Sequence, residues 1–175
     1  MERVVLYDNF FNEKDLNDIL IYFEKTEWMS FCIANVNVDR MGDRPFWRDD
    51  LNHELFFTKY LKGVIEKKIK KKLKLLRVYA VCQTYQQDSN YHTDSKSDGT
   101  YTFCYYINNA NDDTDGHFYL KIPDEKYLLA IEPCMNRAVF FPSIYYHKGT
   151  GMNNGTIRIC IAWKFVVKNE DKKKK

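Results

Sequence analysis

The chain has 175 residues, of which 45% are hydrophobic and 16% aromatic, and its formal net charge is +3. This composition excludes a disordered polar chain, and the length fits one domain, or one domain with a helical extension, around a full core. No apolar run is long enough to span a membrane, and "MERVVLYDNFF" lacks the zones of a signal peptide, so no membrane partner is expected.

In chain order, "RVVLY" (3–7) reads as a short strand. Asn12 then offers an N-cap, with Asp15 placed as in a capping box. Leu16, Ile19, Leu20 and Phe23 form one helical stripe, and Phe11 and Leu16 suit a hydrophobic staple. Residues 29–50 lack a clear period. Their stretch "GDRPFWRDDL" reads as a loop, with Arg44, Phe46, Trp47 and Arg48 either over a site or in packing. A second helix is predicted over 51–73, with Leu55, Leu61, Ile65, Ile69 and Leu73 on its inner face.

From there the period changes to two. Strands are predicted at 75–86, 101–108, 117–122, 127–133, 137–142 and 157–167, separated by turn-forming residues. Helices followed by about six consecutive strands suggest a mainly β, antiparallel barrel or jelly roll with helices packed on one side. The chain therefore reads as one unit: an N-terminal helical layer with a short strand (1–74), a β core (75–167) and a basic tail (168–175).

Two strands show what should lie inside. Ile157, Ile159, Ile161 and Trp163 share one face, opposite Arg158, Cys160 and Ala162. Tyr101, Phe103, Tyr105 and Ile107 alternate with Thr102, Cys104 and Tyr106. The bulky faces suit packing on helices, and the smaller faces can line a cavity. The five cysteines (Cys32, Cys82, Cys104, Cys134, Cys160) are odd in number and without C-x-x-C spacing. That favours buried free thiols in a reducing, cytoplasmic setting over disulfides or a zinc knuckle.

"NYHTDSKSDGTYTF" places His92 and Asp94 two residues apart, on one side of an extended segment. Taken alone, such a spacing more often marks a surface or hydrogen-bonding pair than a metal site. His147 follows the strand "RAVFFP" and completes a set of two histidines and a carboxylate, the facial triad of non-haem Fe(II) oxygenases. Arg158 falls on the small-residue face of the last strand, where a buried guanidinium needs a carboxylate, either from the protein or from a ligand. His117 and His53 read as structural or surface residues. Tyr106 has a core reading beside a functional one.

This ordered set resembles the 2-oxoglutarate- and Fe(II)-dependent dioxygenases, and among them the prolyl 4-hydroxylase-like group. "TFCYYINN", "DGHFYLKIP" and "IEPCMNRAVFFPSIYYH" are similar to the family's strands around the site, so the resemblance covers roughly 75–165. It implies a double-stranded β-helix (jelly roll, cupin-like) core. It also implies that His92, Asp94 and His147 bind Fe(II) and that Arg158 and Tyr106 hold 2-oxoglutarate, with Tyr85 near that co-substrate. O₂ would be consumed, with ascorbate as a further candidate cofactor, and succinate and CO₂ released as a C–H bond is hydroxylated. The expected substrate is a prolyl residue of a protein or peptide. Free amino acids, small metabolites, an alkylated nucleic-acid base and a non-catalytic binding module are the alternatives. Trp163 stands five residues after Arg158, one fewer than in the pattern it resembles. The run "KKIKKKLK" reads first as a solvated helix face and second as a contact for nucleic acid or acidic protein.

Overall fold

A computed structural model of the chain describes residues 4–32, 44–108, 116–153 and 156–168. Strand β1 (Val5–Tyr7) precedes helix α1 (Glu13–Glu24). The Asn12 side chain caps α1 by accepting from Asp15 N–H at 2.8 Å. Strands β2 (Met29–Cys32) and β3 (Phe46–Asp50) follow. A π-helical turn (Phe56–Leu61) then runs into helix α2 (Lys62–Ile69). The remaining strands are β4 (Leu73–Gln83), β5 (Thr100–Tyr106), β6 (Phe118–Lys121), β7 (Leu128–Ile131), β8 (Arg137–Pro142), β9 (His147–Gly149) and β10 (Arg158–Val167).

Seven strands form one antiparallel sheet in the order β1-β8-β5-β10-β4-β3-β2. A three-stranded sheet, β7-β6-β9, completes the jelly roll. The alternation along β5 and β10 divides the interior as the sequence predicts. Phe103, Tyr105, Ile159, Ile161, Trp163 and Phe165 join the helical residues Ile19, Phe23, Phe57, Leu61 and Ile65 in one core. Cys104, Tyr106, Cys160 and Ala162 join Phe118, Leu120, Val139 and Phe141 in a second core. Trp163 ties the helical layer to the sheet, donating from Nε1 to the Phe57 carbonyl at 3.1 Å.

Three predicted elements are corrected. Residues 46–50 form β3, paired with β4, and not a loop; with Arg48, Asp49 and Asp50 in five residues no apolar alternation marks the strand. The helix predicted over 51–73 is confined to 56–69. Its buried residues Phe57, Leu61 and Ile65 recur every four positions, and the wider π turn keeps them on one side where a regular α-helix would drift. It ends at Lys70 in the left-handed conformation (φ 55°), so Leu73 belongs to β4. The strand predicted to reach residue 86 stops at Gln83, because Gln87 N–H closes a turn onto the Thr84 carbonyl at 3.1 Å. Most of the turn expected between the strands predicted at 101–108 and 117–122 lies outside the described residues, and so does the basic tail beyond Lys168.

Candidate active site

The loop carrying His92 and Asp94 is stitched to the chain around β9. His92 and His147 exchange main-chain hydrogen bonds, His92 N–H to His147 O at 3.0 Å and His147 N–H to His92 O at 2.9 Å. Asp94 N–H donates to Ser143 O at 2.9 Å. These backbone bonds bring together three side chains whose ligand atoms all lie within 4.8 Å of one another. His147 Nε2 stands 3.3 Å from Asp94 Oδ2, and His92 Nε2 stands 3.9 Å from Asp94 Oδ1. Each Nδ1 lies 2.9 Å from a main-chain carbonyl, Asn90 O for His92 and Tyr145 O for His147. That contact fixes the tautomer and leaves both Nε2 lone pairs facing the carboxylate, as in histidines that donate their other ring N–H to a carbonyl while ligating a metal. Phe118 and Phe141 wall the His147 ring, with centroids at 5.5 and 5.0 Å.

Asp94 is buried in a set of partners. Thr102 Oγ1 donates to Oδ2 at 2.6 Å, and the Lys164 ammonium makes a short ion pair with the same oxygen. Burial alone would raise the Asp94 pKa, but the Lys164 charge and the two histidines pull it well below the usual carboxylate range. Lys164, only 5% exposed, is correspondingly held in its charged form. The His92 pKa is lowered to about 4, first by burial and then by His147, so its imidazole is neutral at physiological pH.

Arg158 is 2% exposed. It donates from Nε to Gly116 O at 2.8 Å and from Nη1 to Gln83 Oε1 at 2.7 Å, and its Nη2 lies 3.5 Å from the Tyr106 hydroxyl. All three partners are neutral, and no described carboxylate reaches it. Of the two alternatives for Arg158, a protein acid is therefore not found among the described residues. A buried cation with only neutral partners is a receptor for an anion.

Residues 77–165, just over half of the chain, match the family model of the 2OG-Fe(II) oxygenase superfamily. The chain belongs to that superfamily. The oxygenase thus uses Fe(II), 2-oxoglutarate and O₂, and its donor set fits the first two: a carboxylate and two oriented imidazoles for the metal, a buried guanidinium for the diacid. Its fold is similar to that of a prolyl hydroxylase from Trichoplax adhaerens in complex with a hypoxia inducible factor oxygen degradation domain peptide fragment. That match has a TM-score of 0.73 at 18% identity, over 93% of this chain and 83% of that one. It is also similar to a Pseudomonas putida prolyl-4-hydroxylase, with a TM-score of 0.71 at 14% identity over 97% and 95% of the two chains. HygX from Streptomyces hygroscopicus, solved with nickel, 2-oxoglutarate and hygromycin B, gives 0.64 at 10% identity over 94% and 83%. A search of curated proteins finds no match.

Most of the expected residues converge on one cleft of about 100 Å³, lined among others by His92, Asp94, His147 and Arg158 of the oxygenase. Tyr106 lies fully buried behind it. Tyr85 does not join them. It sits in the turn beyond β4, 55% exposed, and faces a neighbouring depression with Tyr91 and Tyr119. Gln83, the last inward residue of β4, makes the contact with Arg158 instead. His117 is likewise absent from the cleft lining. Lys164 and Gln83 were not singled out from the sequence. Both obey the period-two rule that selected Arg158, since Lys164 continues the series 158, 160, 162 on β10.

Proposed function

We propose that the oxygenase hydroxylates a prolyl residue of a polypeptide, releasing succinate and CO₂. In this reading His92, Asp94 and His147 hold the iron, Arg158 takes the distal carboxylate of 2-oxoglutarate, and Tyr106 supports that guanidinium. When bound, the metal and co-substrate supply the oxidation of the C–H bond. The chain's own residues position them: backbone pairing sets the imidazoles, Thr102 and Lys164 orient the carboxylate, and Gln83 and Gly116 hold Arg158.

The observation that carries the chemistry is Arg158, buried with neutral partners at one side of the triad. The size of the cleft supports a polypeptide. About 100 Å³ suits a five-carbon diacid and the tip of one side chain, whereas pockets that swallow whole ligands run to roughly 300–1,000 Å³. Likeness to two prolyl hydroxylases supports proline as the residue presented. We also place the oxygenase in the cytoplasm, because its four described cysteines are free.

The test is a library of proline-containing peptides incubated with Fe(II) and 2-oxoglutarate, read by succinate release and by the gain of one oxygen in peptide mass. His92→Ala is expected to abolish both signals. Undiminished turnover in that variant overturns the site, and turnover only on free amino acids, metabolites or alkylated bases overturns the polypeptide.

A further inference from the structure

The cleft carries more positive charge than the reaction uses. Its lining includes Arg48, Arg77, Arg158 and Lys164, against Asp94 as its one carboxylate. A divalent metal and a dianionic co-substrate cancel each other. Asp94 neutralises Lys164, and Arg158, which pairs with the co-substrate's free carboxylate, is one positive charge in excess. Arg48 and Arg77 add two more.

These two converge on one ring. The Arg48 and Arg77 guanidinium carbons stand 4.9 and 5.1 Å from the Tyr79 centroid, and the Lys164 ammonium stands 5.6 Å from it. Arg77 lies directly opposite Lys164 across the β4–β10 pair, a juxtaposition of like charges that costs stability. Arg77 is exposed and forms no ion pair among the described residues. Arg48 reaches Asp50 at 3.5 Å, but both side chains are partly solvated there, and such a pair is weak. The Arg48 Nε is buried with no partner. A ring that gathers two under-compensated guanidiniums at the mouth of a cleft is built to meet an anion.

We propose that Arg48 and Arg77, seated on Tyr79, form an acid-recognition rim that selects polypeptides with an aspartate or glutamate near the hydroxylated residue. This rests on the polypeptide reading above and narrows its substrate class. Planar guanidiniums suit a carboxylate through paired N–H donors. The small cleft keeps the flanking residues of the substrate outside, at the level of this rim.

The test uses the 175-residue oxygenase loaded with Mn(II) and 2-oxoglutarate, so that binding is read without turnover. Fluorescein-labelled proline peptides carry a single Asp, Asn or Lys at each position around the proline, and affinity is read by anisotropy. At least one Asp position is expected to bind about ten-fold tighter than its Asn counterpart, the scale of one charge-assisted contact. Added salt should erode that preference. The double variant Arg48→Gln/Arg77→Gln should lose it, Arg48→Lys/Arg77→Lys should keep part of it, and the distant Arg137→Gln should keep all of it. Equal binding of Asp and Asn peptides at every position overturns the rim, as does a preference that survives the glutamine pair. Tighter binding of a single-stranded oligothymidylate than of the best Asp peptide overturns the polypeptide partner. If Asp peptides bind through Arg48 and Arg77 but gain no oxygen with Fe(II), the prolyl reading fails and the rim stands.

Discussion

Lys164 and Thr102 both donate to one oxygen of Asp94, so the carboxylate at the centre of the triad is anchored from the floor of the large sheet. Breaking a buried pair from one side leaves an uncompensated charge, at a cost of about 3–5 kcal/mol. Lys164→Met should therefore destabilise the metal-free protein strongly. A divalent ion then becomes the main cation facing Asp94, so Mn(II) should raise the Tm of the variant by more than it raises that of the wild type. Equal metal-induced shifts in thermal melts would show that Lys164 does not govern the carboxylate.

Arg158 and Gly149 give a paired prediction for the co-substrate. Arg158→Gln removes the buried cation and should raise the KM for 2-oxoglutarate about a hundred-fold, the scale of losing a charged hydrogen-bonded contact. Gly149→Ala should act on the same arginine indirectly. A Cβ there would come within 2.9 Å of both Arg158 Nη1 and Gln83 Oε1, forcing that pair to move. The expected result is a smaller rise in the same KM, with Mn(II) affinity unchanged in both variants. A comparable loss of metal affinity would place Arg158 in the wrong role.

The His92 environment sets an acid limit. Its pKa is about 4 in the folded protein, below an unfolded value of 6.5, so the folded state binds fewer protons between these values. Stability is therefore lost as pH falls from about 6.5 towards 4, by on the order of 3 kcal/mol in all. Melting temperatures in the presence of a chelator should follow that window. They should flatten in His92→Asn; an unchanged slope in the variant assigns the loss to another group.

Trp163 predicts how firmly the helical layer is held. Its ring is fully buried, and its Nε1 satisfies the Phe57 carbonyl inside the π turn. Trp163→Phe should leave that carbonyl unpaired and cost about 1–3 kcal/mol. Urea unfolding should report this as a lower midpoint with the slope preserved.

The β core was legible because β5 and β10 alternate cleanly, and parity then placed Arg158 and Tyr106 on the inner side. Lys164 has the same parity, yet a lysine on a buried face contradicts burial preference until Asp94 is known to lie opposite it. That juxtaposition spans 70 positions in sequence and is made only by the fold. Strand β3 was hidden because its charged residues belong to the mouth of the cleft and to solvent, which removes the apolar period. Tyr85, named through the resemblance and not through parity, lies past Gln83, where the Thr84–Gln87 turn redirects the chain towards the neighbouring depression. Trp163 at five residues from Arg158, and not six, points into the helical core and gives the inward position to Lys164.

Because His92 and His147 hold each other through two main-chain hydrogen bonds, strand pairing by itself can bring their imidazoles together. The oxygenase is then expected to differ from small zinc modules, whose chains are unfolded until metal arrives. Under the proposed assignment, iron loading is expected to come last, on a chain that has already closed its jelly roll. It is also a reversible step: stripping the metal with a chelator should empty the site while the architecture stays standing, ready to be reloaded.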